Sequence, residues 1–254
     1  MKRVARHVAR TVFGRLLPRA AYPVVSGPLR GARFILGSLA GEGGGATVYF
    51  GAVEPEQTAA FVEALSPGQV FFDIGANVGY YTILGSRLVG SQGFVVAIEP
   101  SVRNLSFLYR HVDLNGASNV TIIAAACADE ISFAGFCSGT NHATGSLTTD
   151  PAGGKIDGDG EITFVTTVTV DSVVQKLGVI PDVIKIDVEG AELSVLKGAH
   201  ATLLRKRPTI FLSVHSDDLR SSCLGYLQGL GYTTRSVKGD KDELTEFVAL
   251  HSGT

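Results

Sequence analysis

The chain has no tryptophan, one methionine and three cysteines, and each scarcity narrows what the protein can be. Cys127, Cys137 and Cys223 are odd in number and far apart, so neither a disulfide framework nor a zinc cluster is expected, and the thiols read as reduced and packed. No apolar run approaches the roughly 20 residues that a membrane-crossing helix needs. The N-terminus also lacks the uninterrupted apolar segment of a secretory signal, which makes a cytoplasmic protein the simplest expectation. With 254 residues, 45% hydrophobic and 18% charged, the composition fits one α/β domain with a sizeable core and a short appendage.

Acidic residues are missing from the first 41 positions, where Lys2, Arg3, Arg6, Arg10, Arg15, Arg19, Arg30 and Arg33 stand. The net charge of -2 therefore conceals a basic leader and an acidic remainder. Val4, Val8, Val12 and Leu16 recur every four residues while Arg3, Arg6 and Arg10 fall on another face, which predicts a basic amphipathic helix ending near Pro18. Such a helix lies on an anionic membrane surface, packs on the domain with its basic face solvated, or acts as an organelle transit segment. Residues 1–30 are expected to form this segment and 31–254 a single domain.

GARFILG (31–37) and ATVYF (46–50) have the β-branched and aromatic content of short strands, around a turn GEGGG. No Lys-Ser or Lys-Thr pair follows that turn, so it is not a P-loop. Pro55 at a first helical position and the apolar Phe61, Val62 and Leu65 predict a helix closed by SPG. Strand-like runs follow at 70–74, 94–98, 120–124, 183–187 and 209–214, with helical patterns between most of them. Their nearly continuous apolar content is that of parallel strands covered on both faces, and the alternation predicts a doubly wound sheet. Between 131 and 170, ISFAGF and ITFVTTVTV read as an inserted hairpin with a long loop, and GYTTRSVK and EFVALH as a closing antiparallel hairpin about the turn GDKDE.

VFFDIGANVGYY (70–81) places two glycines after a strand, where a ligand must approach the backbone. A dinucleotide fingerprint wants G-x-G-x-x-G, yet the positions two and five after Gly75 are Asn77 and Tyr80, so a nicotinamide-dependent dehydrogenase fits poorly. The pattern is instead D-x-G-x-x-x-G. Asp73 before the turn suits a cofactor with a cationic amino-acid tail and no pyrophosphate, and S-adenosylmethionine is that cofactor. Gly75, Ala76, Asn77 and Gly79 would form its cradle, with a helix starting near Asn77 offering free N–H groups. Glu99, at the tip of the second strand, is placed to accept from the ribose hydroxyls. The third strand would deliver Ala126 and Cys127 by backbone, or Asp129 by side chain, to the adenine.

A second constellation lies in DVIKIDVEGAELSVLKGA (182–199), where Lys185 and Asp187 stand two apart on one face of an apolar strand, with Glu189 and Glu192 beyond. Buried charges are costly unless paired, so this is an ion-pair network or a reaction site. His215 ends the next strand between Ser213 and Ser216 and has the pKa for general-base work near neutral pH. Asp187, His215, Lys185 and Glu189 are thus the candidate catalytic residues, and Asn141 and His142 in the 138–160 loop candidate lid residues. A divalent metal on the acidic cluster is not assigned.

FFDIGANVGYYT, VVAIEP with Asn104 following, NVTIIAAACAD, TVDSVV, DVIKIDVEGAELSVLKGA and PTIFLSVH together resemble the FkbM family of S-adenosylmethionine-dependent methyltransferases. The resemblance implies a class I methyltransferase fold, a Rossmann-like doubly wound sheet of seven strands in the order 3-2-1-4-5-7-6 with the last strand antiparallel. It also implies O-methylation, commonly of sugar hydroxyls in polysaccharides or natural products. Many relatives carry glutamate where Ser213 stands, so no role transfers to that position. The acceptor expected is a small molecule or glycan. Nucleic acid is not: there is no Asn/Asp-Pro-Pro-aromatic tetrad and no Pro-Cys nucleophile, and the core is acidic. A non-catalytic S-adenosylmethionine-binding protein anchored by its basic helix is the rival from another class.

Overall fold

The computed structural model describes residues 18–38, 46–138, 145–148, 162–237 and 245–251. The basic leader to residue 17, the GEGGG and GDKDE turns, and most of the 138–160 loop with Asn141 and His142 lie outside the described residues.

The chain opens with an antiparallel ribbon, β1 (Ala21–Pro23) and β2 (Arg33–Ile35), then two helices, α1 (Ala46–Tyr49) and α2 (Pro55–Ala64). The segment ATVYF, expected as a strand, is therefore helical. Strand preference reflects fit to a pleated surface more than the backbone itself, and here the helical turn buries Val48 and Tyr49 side by side, with the Tyr49 hydroxyl donating to the Phe34 carbonyl at 2.8 Å.

Alternating strands and helices follow: β3 (Val70–Ile74), α3 (Tyr80–Val89), β4 (Phe94–Ile98), α4 (Val102–Leu114) and β5 (Val120–Ile123). A small sheet comes next, from β6 (Ala126–Cys127), β7 (Phe133–Ser138), β8 (Gly145–Thr148) and β9 (Ile162–Val168). The second half holds α5 (Val170–Leu177), β10 (Val183–Ile186), α6 (Glu192–Gly198), α7 (His200–Arg205), β11 (Thr209–Ser213), α8 (Asp217–Gly229), β12 (Tyr232–Ser236) and β13 (Glu246–His251). The central sheet runs β5-β4-β3-β10-β11-β13-β12, parallel except where β13 pairs with its neighbours. This is the expected seven-strand order. The inserted hairpin is also present, as the antiparallel pair β7 and β9, and β8 on its edge adds a strand that the polar loop concealed.

Both faces of the sheet are covered, which explains the apolar runs. Phe71, Val95, Val183 and Phe211 pack on one face with Phe34, Phe61 and Tyr81, while their sequence neighbours Phe72, Val96, Ile184 and Ile210 pack on the other with Val170, Val195 and Leu203. Helix starts are set locally. Ser101 caps α4, Thr169 and Ser172 form a reciprocal capping box at α5, and Ser216 caps α8. Helix α3 begins at Tyr80, three residues later than its predicted start, because Asn77 and Gly79 adopt left-handed torsions that no helix continues.

The N-terminal ribbon is tied in by His111 of α4, which is fully buried. Its Nε2 accepts from the Ile35 N–H at 3.0 Å, so Nδ1 carries the proton and donates to the Val78 carbonyl at 2.7 Å. Burial lowers its pKa and holds it neutral. His111 is therefore a structural pin between the ribbon and the turn after β3. All three cysteines are free and buried, and burial pushes the Cys127 thiol up to about 12.

Candidate active site

The chain leaves β3 for β4 in one direction and returns to β10 on the other side of β3, so the crevice at the carboxyl ends of β3 and β10 is the topological switch point where open sheets bind ligands. A cavity lies there. Gly75 and Asn77 form its floor, Ile98, Glu99, Pro100, Ser101, Arg103 and Asn104 one wall, and Ala126, Cys127, Phe136 and Leu147 its cover from the small sheet. Its far end is Asp187, Val188 and Glu189.

Glu99 is held there by three hydrogen bonds. One carboxylate oxygen accepts from the Ser101 N–H at 2.9 Å and the Asn104 side-chain amide at 3.3 Å, and the other accepts from the Asn77 N–H at 2.8 Å. Of the four lone-pair positions a carboxylate offers, three are filled, and the fourth is left on the oxygen shared with Asn77. Burial raises its pKa against these three donors. Asn77, with φ of 51°, thus orients Glu99 through its backbone.

Gly75 has a second task beside the one its sequence position suggested. Its φ is +80°, and a Cβ there would stand 2.0 Å from the Asp187 carbonyl oxygen. The missing side chain admits the β10 backbone, and with it Asp187, to the cavity. Gly75→Ala is expected to cost about 2–5 kcal/mol, from the left-handed torsion and the backbone clash together. Chemical denaturation would check this, and a cost under about 1 kcal/mol would contradict it.

Four other predicted cofactor residues do not line the cavity. Gly79 faces Leu108, whose methyl lies 2.6 Å from its would-be Cβ, and Ala76 packs with Ala97 and Leu105. Asp129 is exposed and exchanges hydrogen bonds with Ser194, through its N–H at 2.9 Å and its carboxylate at 2.7 Å. Asp73 is 1% exposed and accepts from the Thr82 hydroxyl at 2.6 Å. Burial raises its pKa to about 6, with Lys185 and Thr82 pulling the other way.

The register of β3 and β10 sets Asp73 beside Lys185. Lys185 is 2% exposed, lies 4.6 Å over the Tyr81 ring, and bonds Asp187 Oδ2 at 2.6 Å. Burial disfavours its charge, but Asp187, Glu54 and Asp73 outweigh that and raise its pKa, so it is an ammonium. Burial likewise pushes Asp187 up, and the charge and hydrogen bond of Lys185 more than reverse it, so Asp187 is ionised. Ser213 adds a hydrogen bond to Asp187.

His215 completes the cluster. Its Nδ1 meets Glu192 Oε1 at 2.5 Å, while Nε2 lies 3.5 Å from Glu189 and 3.8 Å from Asp187 Oδ1. The bond to the fully buried Glu192 is the main reason its pKa is raised, with burial opposing and Glu189 and Asp187 assisting. Burial raises Glu189 in turn. A second cavity opens beside His215, walled by Glu54, Ser213, Asp217, Arg220 and Glu246, and Asp187 lines both cavities. Asp187 bonds Lys185 and lies 3.8 Å from His215, which lies 3.5 Å from Glu189, so the four candidate catalytic residues form one connected cluster, with Lys185 buried beneath it and lining neither cavity.

Sequence reasoning missed Phe136, Leu147 and Arg103 on the first cavity and Glu54 on the second. For Glu54 a signal existed: an acidic residue just before the proline that starts α2. It takes a left-handed φ of 38° and accepts from the Tyr81 hydroxyl at 2.8 Å.

The sequence matches the family model described as the methyltransferase FkbM domain over residues 73–233. Among solved structures, the chain is similar to a methyltransferase FkbM from Methylobacillus flagellatus KT, at 19% identity and a TM-score of 0.51, covering 81% of this chain and 54% of that one. It is also similar to a putative rRNA methylase from Clostridium thermocellum, at 11% identity and a TM-score of 0.50, covering 76% of this chain and 91% of that one. At these identities the likeness is one of fold, and the chain spans about half the length of the first of the two. No curated protein matches the sequence. The fold is that of the class I methyltransferases, the family model covers more than half of the sequence, and the chain belongs to the FkbM methyltransferase family.

Proposed function

We propose that this chain is an S-adenosylmethionine-dependent O-methyltransferase acting on a hydroxyl of a small molecule or glycan, such as a sugar in a polysaccharide, glycolipid or natural product. The observation that carries the proposal is Asp187, an ionised carboxylate shared by two cavities, one suited to the methyl donor and one open to an acceptor.

The first cavity fits the donor. Glu99 keeps one acceptor position for a ribose hydroxyl, and Ala126, Phe136 and Leu147 offer an apolar slot for a flat base. When bound, S-adenosylmethionine supplies a methyl group on a sulfonium, which a nucleophile takes by in-line displacement. The protein must align that nucleophile and remove one proton. Lys185 fixes Asp187 through Oδ2, and Asp187 Oδ1, 3.8 Å from His215 Nε2, stabilises the imidazolium that forms once the hydroxyl has given up its proton. Glu192 fixes His215 through Nδ1, so the Nε2 lone pair takes the hydroxyl proton, the orienting logic of a carboxylate-histidine pair.

A histidine with a raised pKa stays protonated to higher pH, so the acid limb of the rate profile should lie above the ordinary value of about 6.5. Glu192→Gln replaces the carboxylate whose hydrogen bond does most to raise the imidazole. The limb should then move to lower pH, by about one unit. An unmoved limb would show that Glu192 does not govern His215. Stability has its own pH dependence: the share that His215 adds as a cation is complete below about 6.5 and is lost as pH rises through its raised value.

The activity itself is tested with methyl-labelled donor and a panel of hydroxylated acceptors, including saccharides and glycolipids. Alkali-stable label on an acceptor oxygen is expected. Label on nitrogen or carbon would redirect the assignment, and a donor that binds without ever transferring would favour the non-catalytic rival.

A further inference from the structure

Away from the site, an apolar groove runs between the N-terminal ribbon and α1, lined by Tyr22, Pro23, Val25, Leu36, Tyr49 and Phe50. Val25 is 55% exposed and Phe50 is 50% exposed. The two are held side by side, since the Val25 N–H donates to the Tyr49 carbonyl at 2.9 Å. Both tyrosine hydroxyls are turned to backbone carbonyls, Tyr22 to Pro18 and Tyr49 to Phe34, so the rings face the groove and the polar tips do not.

The charge on the ribbon has one sign. The ribbon that forms it carries Arg19, Arg30 and Arg33, all exposed. Arg33 reaches the Ala21 carbonyl at 3.2 Å, next to Tyr22, and Arg19 lies against Gly37, next to Leu36. Among the described residues before Glu54 there is no acidic side chain, and the sequence preceding residue 18 adds Lys2, Arg3, Arg6, Arg10 and Arg15. Exposed valine and phenylalanine side chains beside a ribbon of arginines without carboxylates suit an interface with acyl chains below and anionic headgroups around it.

We propose that this end of the molecule docks on an anionic lipid surface, with Val25 and Phe50 entering the headgroup boundary and Arg19, Arg30 and Arg33 meeting the phosphates. The docking does not depend on what the enzyme methylates. The test is flotation of the full chain with phosphatidylcholine vesicles, with and without roughly one third phosphatidylglycerol. The wild type should float with the anionic vesicles at low salt and stay down with phosphatidylcholine alone. Val25→Ser with Phe50→Ser should lower recovery at least roughly fivefold with the thermal unfolding midpoint unchanged, and Arg30→Gln with Arg33→Gln should make binding weaker and less salt-sensitive.

A second apolar surface gives the control, because Phe133 and Phe164 are 76% and 62% exposed on the small sheet. Phe133→Ser with Phe164→Ser should leave flotation intact. The proposal is overturned if the wild type does not float, if the small-sheet variant alone loses binding, or if the Val25 and Phe50 variant floats like wild type. It is equally overturned if that variant only converts a dimer to a monomer.

Discussion

His215→Ala should lower turnover about 100- to 10,000-fold, the range for losing a positioned proton acceptor, while S-adenosylmethionine affinity stays within about threefold. The split follows from position: His215 lines the second cavity and not the first, so its loss removes the base without touching the groups offered to the donor. A stability effect alone would not mimic it. Removing His215 releases Glu189 and Asp187 to water, where about a third of each side chain already lies. It also leaves Glu192 in the interior without its main partner. The variant should therefore lose some stability yet remain folded and donor-competent at 25 °C. Single-turnover rates beside calorimetric donor affinity would read the two effects separately. A variant that keeps full turnover on the true acceptor would remove His215 from the mechanism.

Lys185→Met should destabilise the fold by about 3–5 kcal/mol, the cost of removing one partner from a buried ion cluster. Methionine is close in length, so little cavity forms, and the loss is chiefly electrostatic. Lys185 is the cation that Asp73, Asp187 and Glu54 share. Without it Asp73, already raised to about 6 by burial, shifts further up. The deficit should thus shrink as pH falls, because a protonated Asp73 no longer needs a cation. Urea denaturation of both proteins at pH 5 and pH 8 would check magnitude and sign. A deficit below about 1 kcal/mol at both values would mean that the cluster is held chiefly by other groups.

These two residues show how far the sequence could be read. Lys185, Asp187, Glu189 and His215 were legible because charges inside or just beyond an apolar strand violate burial rules, and a strand end in a parallel sheet fixes which edge they reach. Glu99 was legible for the same positional reason. Asp73 shows the limit. It precedes the glycine turn, but strand alternation puts it on the face of Phe71, toward Lys185 and Tyr81. That pairing depends on a register between strands more than 100 residues apart. Gly75 was found for its torsion, yet its neighbour is the Asp187 backbone, a close approach that no local pattern records. Phe136 and Leu147 reach the cavity only because β7, β8 and β9 pair across a long polar loop. ATVYF was misassigned because composition alone does not separate a short buried strand from one buried helical turn.

The central claim is that the cavity between Gly75, Glu99 and Asp187 holds S-adenosylmethionine. Titration calorimetry of the full chain tests it most directly, with S-adenosylmethionine, its demethylated product and NAD as titrants, on wild type and Glu99→Ala. Saturable one-to-one binding of donor and product is predicted, at least about tenfold weaker in the variant because the ribose acceptor is lost, with no heat from NAD. NAD binding without any response to S-adenosylmethionine would contradict it.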